Sequence, residues 1–180
     1  MRTGWWVLAG ALLVAGCGSG GGTGSDTPAP VDAAPKTITV TSSVFADNQP
    51  IPRDYTCKGG GAAPALSWTG VPADAASIAL VVFDPDAGSD GFTHWVLYDL
   101  PPKDGSLAGD QPPAGATEGD NSAGRPGWTP PCPPSGTHHY LFTVYALPAH
   151  PSGQSTADVV ARINATAIAR GVLTGLVSSS

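Results

Sequence analysis

Side chains that can transfer protons, ligate metals or hydrogen-bond a ligand are concentrated in three short segments of this sequence. They are Asp84-Pro85-Asp86-Ala87, His94-Trp95 and Gly136-Thr137-His138-His139-Tyr140. Each lies at the end of a predicted strand, so these carboxylates and imidazoles can converge at one edge of a sheet. Pro85 fixes a backbone angle, and a cis peptide there would aim the two aspartates. Together the segments predict one polar cleft, whereas each alone is more typical of a turn or a packed histidine.

The elements that must position these segments are mostly strands. Runs rich in β-branched and aromatic residues predict strands at 36–43, 66–68, 77–83, 93–100 and 140–147. The run at 77–83 is continuously apolar, which predicts burial on both faces. One helix is predicted near the C-terminus, capped by Ser155 or Thr156 and ended by Gly171. Its apolar stripe consists of Val159, Val160, Ile163, Ala167 and Ile168.

The N-terminus predicts export from a bacterial cell. Arg2 precedes the apolar run 5–15, which has the pattern of a secretory signal and is too short to span a bilayer. Val14-Ala15-Gly16-Cys17 resembles the lipobox of bacterial lipoproteins, which implies removal of residues 1–16 and lipid attachment to Cys17. An ordinary signal peptide with a chance cysteine is the alternative.

Composition divides the remainder of the chain into a tether and one domain. Residues 17–35 are rich in Gly, Pro and Ser and nearly free of bulky apolar residues, so we expect a flexible tether there. Residues 36–180 form the predicted domain. The expected location is the bacterial cell envelope, on the extracytoplasmic side of a membrane that holds the lipid.

Charge and composition exclude several classes of protein. The chain has 14 acidic and 8 basic residues, a net charge of -6, and no basic run, so we expect no nucleic-acid partner. The acidic balance also argues against electrostatic docking on anionic lipid. With 24 Gly, 19 Pro and 12% charged residues, the sequence does not fit a coiled coil or a long helical bundle.

Two further cysteines remain for the folded part. Cys57 and Cys132 are an even pair in an exported and usually oxidising compartment, which predicts a disulfide. Two free thiols are the alternative, because the sequence does not show that the cysteines are close in space. By themselves they are too few and too far apart for a structural zinc site.

Six ordered motifs resemble the phosphatidylethanolamine-binding protein family, in its bacterial branch called Raf kinase inhibitor-like or YbhB/YbcL proteins. They are Ile51-Pro52 with Tyr55-Thr56-Cys57, Pro64-Ala65-Leu66-Ser67-Trp68, Asp84-Pro85-Asp86-Ala87, His94-Trp95-Val96, Pro131-Cys132-Pro133-Pro134 and Gly136-Thr137-His138-His139-Tyr140-Leu141-Phe142. The resemblance extends over roughly residues 37–175. It implies a mostly β fold, an antiparallel β-sandwich with long loops and a C-terminal helix.

The resemblance also implies a small pocket for a phosphate-like anion or a phosphoethanolamine head group, with no cofactor. Its lining residues would be Asp84, Asp86, His94, His138 and Tyr140. Two carboxylates repel a phosphate, so their expected role is to orient the histidines or to meet an ammonium group. Tyr140 would supply a hydroxyl donor. His139 stands where the family commonly has arginine, which removes a positive charge.

Other functions remain open at this level. The long segment 101–137, rich in Pro, Gly and Asp and without a predicted element, could contact a protein partner, such as an extracytoplasmic protease that the chain would inhibit. A hydrolase is less favoured, since there is no G-x-S-x-G motif and no recognisable cysteine nucleophile. A metal held by Asp84, Asp86, His94 and His138 would serve such a hydrolase. Kinase inhibition does not transfer, because an exported lipoprotein meets no cytosolic kinase.

Overall fold

The structure is a computed structural model that describes residues 34–35 and 37–179. The predicted signal peptide, the predicted lipidation site at Cys17 and nearly all of the predicted tether lie outside these residues. No helix in the described part of the chain is both long enough and apolar enough to cross a bilayer.

The described residues form nine strands and one α-helix, arranged as two sheets and a helical layer. In chain order they are β1 (Thr39–Ser42), β2 (Gln49–Pro50), β3 (Leu66–Thr69), β4 (Ser77–Asp84), β5 (Phe92–Leu100), β6 (Gly105–Leu107), β7 (Thr117–Gly119), β8 (Thr137–Leu147), α1 (Thr156–Thr166) and β9 (Ala169–Ser178). The small sheet has the order β1-β3-β6 and the large sheet the order β2-β9-β8-β4-β5-β7. Neighbouring strands are antiparallel except β2 and β9, which are parallel.

The core lies on both faces of the large sheet. Between the sheets, Trp68 of β3 and Leu107 of β6 share one buried cluster with Val82 of β4. On the opposite face, Val81 of β4 packs against Ile163 of α1 in a second cluster. All eight residues of β4 are buried, which confirms the burial on both faces expected from its continuous apolar run. The mostly β fold is confirmed.

The prediction for the C-terminus is correct in its first half and wrong in its second. Ser155 caps α1: its hydroxyl accepts from Asp158 N–H, and the Asp158 carboxylate accepts from Ser155 N–H. The helix ends at Thr166, however, and Gly171 lies inside β9, which pairs with β8 over ten residues. A Cβ at position 171 would collide with the carbonyl of Ile38, so glycine lets the chain before β1 cross β9 closely.

Two further expectations are corrected. Segment 101–137 is not a structureless loop, because it contains β6, which completes the small sheet, and β7, which forms an edge of the large one. These strands have three residues each, too few to produce a periodic pattern in the sequence. The peptide bond preceding Pro85 is trans, like every other peptide bond in the described part of the chain.

Candidate functional site

A cavity of about 260 Å³ lies at one end of the large sheet. The end of β4 and the starts of β5 and β8 meet there, because β4 is antiparallel to both neighbours. The cavity is lined by Asp84, Ala87, Phe92, His94, Thr129, Pro130, Cys132, Pro133, Pro134, His138 and Tyr140. Four of the five predicted ligand-binding residues therefore line one cavity, although up to 56 positions separate them in the chain (140 − 84).

Asp84 and His138 form a buried pair in this cavity. His138 Nδ1 lies 2.7 Å from Asp84 Oδ2, and only 2% of Asp84 and 8% of His138 are exposed. Because a carboxylate accepts, the ring donates through Nδ1 and presents Nε2 as its other polar atom. The second oxygen, Oδ1, accepts from Asp86 N–H at 2.8 Å. The carboxylate thus fixes the orientation of the imidazole.

His94 is held by a backbone carbonyl instead of a carboxylate. Its Nδ1 lies 2.7 Å from the carbonyl oxygen of Thr129, and Thr129 N–H donates to the His94 carbonyl at 3.0 Å. A carbonyl can only accept, so Nδ1 carries the hydrogen. Burial lowers the pKa of His94, outweighing the opposing effects of this hydrogen bond and of Asp84. The neutral ring therefore has its lone pair on Nε2.

Tyr140 is a fourth polar side chain of the cavity, besides Asp84, His138 and His94. Its side chain is 1% exposed, and its ring meets that of His94 edge-on at 5.1 Å. Burial raises the pKa of the phenol most, and the charge of Asp84 and a hydrogen bond to its carboxylate raise it further. The hydroxyl therefore stays protonated and directs its hydrogen to Asp84. Phe92 covers another side of His94 at 4.7 Å between ring centroids. Among the residues that the structure describes, the cavity lining contains no lysine or arginine.

Asp86 does not line this cavity. Its Oδ2 accepts from both the backbone N–H and the ring Nδ1 of His139, each at 2.8 Å. The hydrogen bond from the His139 side chain, with that from its backbone, lowers the pKa of Asp86. Both side chains are partly exposed, at 40% for Asp86 and 50% for His139. The pair ties the turn after β4 to the start of β8, so Asp86 acts on the site through the backbone.

Asn121 supports the site and was missed by the sequence analysis. Its buried Nδ2 donates to the carbonyl of Gly127 at 2.9 Å and to the hydroxyl of Thr129 at 3.0 Å. Its Oδ1 accepts from Ala123 N–H at 2.9 Å. These bonds fold the segment that carries the carbonyl acceptor of His94. A single asparagine in a Gly- and Pro-rich segment gives no sequence signal for this role, since such residues commonly form turns.

The disulfide shapes one wall of the cavity. Cys57 and Cys132 are bonded, with 5.4 Å between their Cα atoms and 75 positions between them in the sequence. Cys132 lines the cavity, and Cys57 N–H donates to the carbonyl of Pro131 at 3.0 Å. The wall that contains Pro133 is thereby fastened to the segment after β2.

A larger cavity of about 450 Å³ lies on the other side of this wall. Arg53 and Lys58 line it, and it shares Pro133 with the smaller cavity. Both cations are exposed, and the lining, as far as the described residues form it, has no carboxylate or histidine. We assign the candidate site to the smaller cavity, because buried and mutually oriented polar side chains distinguish a constructed site from a surface depression. No cluster of three or more His, Cys, Asp or Glu able to hold a metal occurs within the described ranges.

Comparison with known proteins places the chain in a family. The family model described as phosphatidylethanolamine-binding protein matches residues 41–178. LppC of Mycobacterium tuberculosis, named as a candidate lipoprotein, is 47% identical over 153 residues, which cover 77% of this chain and 76% of LppC. The crystal structure of a phosphatidylethanolamine-binding protein homologue from Chlamydia trachomatis is 33% identical with a TM-score of 0.73, covering 81% of this chain and 99% of that one. Escherichia coli YbcL, described as a member of the mammalian family, is 31% identical with a TM-score of 0.73, covering 80% and 99%. The chain belongs to the phosphatidylethanolamine-binding protein family.

Proposed function

We propose that this protein is an exported, lipid-anchored binding protein whose 260 Å³ cavity receives a phosphate-like group, either free or on a phosphoethanolamine head group. The observation that carries the proposal is the convergence of Asp84, His94, His138 and Tyr140 from three strands on one cavity. Its volume is near the lower end of small-ligand sites, which suits a head group better than a whole lipid.

The cavity offers hydrogen-bond donors at defined places. The protonated Tyr140 hydroxyl becomes one when its hydrogen turns from Asp84 to the ligand, and His138 Nε2 becomes a second when the imidazole is protonated. Asp84 then compensates the charge of the imidazolium, from which it lies 2.7 Å. When the imidazole is protonated, the ligand charge is met by hydrogen bonds and one buried ion pair, since the described lining residues include no lysine or arginine.

The lining favours binding over hydrolysis. Cys132 is engaged in the disulfide, and the Thr129 hydroxyl is bonded to Asn121. A disulfide sulfur is not a free thiolate, and the hydrogen bond of the Thr129 hydroxyl in the described part of the chain is to Asn121 and not to an imidazole, as an activated nucleophile would need. We therefore favour a binding role for the cavity.

The lipid anchor is proposed from the lipobox-like segment ending at Cys17. The similarity to LppC, a protein named as a candidate lipoprotein, supports this part of the proposal. Lipid on Cys17 would place the domain in the bacterial cell envelope, on the extracytoplasmic side, near the phospholipids that carry such head groups.

Titration calorimetry with phosphoethanolamine tests the binding role. We expect His138→Ala to weaken the affinity at least several-fold while the protein remains folded, because the variant loses one donor and leaves Asp84 Oδ2 without the imidazole. His150→Ala is the matched control, since His150 bonds to Asp99 and is not among the cavity-lining residues. Equal affinity of wild type and His138→Ala would remove His138 from the site.

A further inference from the structure

His94 meets the cavity as a hydrogen-bond acceptor. The Thr129 carbonyl, 2.7 Å from Nδ1, fixes the hydrogen on that nitrogen. Within residues 34–35 and 37–179, Nε2 has no hydrogen-bond partner, yet it is not among the solvent-inaccessible unsatisfied atoms. The ring lines the cavity, so this nitrogen is available to a ligand. A neutral imidazole nitrogen without a hydrogen can only accept.

The surroundings of His94 do not favour a second proton on the ring. The titratable groups that face it are Asp84 at the end of β4 and His138 and Tyr140 on β8, while Phe92 and Trp128 cover it with aromatic rings. Asp84 is engaged by His138 Nδ1 and Asp86 N–H. Protonation of His94 would place a charge at a site that is 5% exposed, where desolvation opposes it.

We propose that the cavity selects anions that still carry a proton, and that a P–O–H group of the ligand donates to Nε2 of His94. The ligand class is therefore hydrogen phosphate or a phosphomonoester in its protonated form, such as free phosphoethanolamine. This narrows the proposed function, because the head group of an intact phospholipid is a phosphodiester. A phosphodiester and sulfate lack such a hydrogen. Either ligand would place an oxygen, which can only accept, against Nε2 of His94, which also can only accept. The inference rests on the proposed function and adds a selectivity that an anion site without His94 would not have.

Two matched ligand pairs test the selectivity on the full-length, wild-type protein. At about pH 8, phosphate is mainly the dianion HPO₄²⁻, which equals sulfate in charge and differs by one hydrogen. At about pH 6, methyl phosphate keeps a P–O–H group in much of the population, whereas dimethyl phosphate is a monoanion without one. Titration calorimetry should show the hydrogen-bearing member of each pair binding about 10-fold tighter or more.

The variant His94→Gln tests whether His94 is the residue that distinguishes ligands with a P–O–H hydrogen from ligands without one. A glutamine amide can turn either its oxygen or its NH₂ group to the ligand. A ligand therefore needs no hydrogen of its own to form a hydrogen bond at this position. We expect the preference for phosphate over sulfate to fall to about threefold or less. The wild-type comparison needs no substitution and stays decisive if this variant folds poorly.

The outcomes separate the inference from the function on which it rests. Binding of phosphate and sulfate within about twofold of each other, together with equal binding of the two methyl esters, would overturn the selectivity and leave an anion site. Failure of all four ligands to bind would overturn the proposed function itself. A preference seen with both pairs would support a free phosphomonoester such as phosphoethanolamine as a source, and one confined to inorganic phosphate would support the free ion.

Discussion

The two buried histidines of the cavity have the same ring but different hydrogen-bond partners, and this difference decides what each can do. His138 donates to the carboxylate of Asp84, which compensates a positive charge on the imidazole. His94 donates to the neutral carbonyl of Thr129, which compensates such a charge far less. One ring is therefore suited to donate to an anion and the other to accept from it.

We expect His94 to titrate below the ordinary histidine pKa of 6.5, because burial disfavours its charged form. Nuclear magnetic resonance of the ring nitrogens should show the Nδ1–H form at neutral pH. Since the unfolded chain would bind this proton more readily than the folded one, His94 lowers the free energy of unfolding as the pH falls below about 6.5 and has no effect above it. A midpoint at or above 6.5, or a hydrogen on Nε2 in the neutral ring, would contradict this assignment.

Sequence motifs marked four residues that the structure brings to one cavity, and their role in ligand binding stays a prediction. Asp84, His94, His138 and Tyr140 line one cavity, and the resemblance to the family singled them out. Asp86 belongs to the same motif but points to His139, because two residues further along a turn a side chain need not share the direction of the first. The support from Asn121 depends on hydrogen bonds within a segment of irregular structure, which no residue pattern encodes.

Among the elements, strands whose own residues favour β structure were predicted from the sequence. Strands that depend on tertiary contacts for their conformation were not predicted. β4, β5 and β8 contain enough β-branched and aromatic residues to be predicted as strands from the sequence alone. The predicted helix extended over the start of β9 because Ala167 and Ile168, which directly precede that strand, continue the apolar stripe of α1. Pairing along β8 overrides that local pattern.

The disulfide joins two irregular segments, and its removal should affect both stability and the cavity. We expect the double variant Cys57→Ser/Cys132→Ser to lose about 4 kcal/mol of the free energy of unfolding, since the bond closes a loop with a sequence separation of 75. Denaturant unfolding measures this loss. Affinity for phosphoethanolamine should also fall several-fold, because Cys132 lines the cavity.

Chemical reduction of the wild-type disulfide provides the matched comparison, because it leaves both cysteines in place. A change in the free energy of unfolding below about 0.5 kcal/mol in both cases would show that packing, and not the covalent bond, holds this wall.

For the whole molecule, the family and the mostly β fold followed from the sequence because six motifs are distributed over nearly the entire domain. The order of the strands did not follow, since β6 and β7 are short and β2 pairs in parallel with a strand 119 positions later (169 − 50). Such contacts depend on the assembled sheets and leave little trace in local sequence.

The envelope location is tested by replacing the predicted lipidated residue. We expect Cys17→Ser to accumulate as unlipidated or uncleaved precursor, because lipid attachment needs the thiol. Mass spectrometry of the membrane fraction detects the difference, and Ser19→Ala serves as a control that keeps the cysteine. A mature wild-type chain that begins at another residue would refute the assignment.

The most direct test of the central claim is a crystal structure of the protein grown with phosphoethanolamine and without sulfate, acetate or cacodylate. We predict the phosphorus atom in the smaller cavity, with its oxygens within hydrogen-bond distance of His94, His138 and Tyr140. A phosphate bound instead beside Arg53 and Lys58 in the larger cavity, with the smaller one empty, would contradict the account.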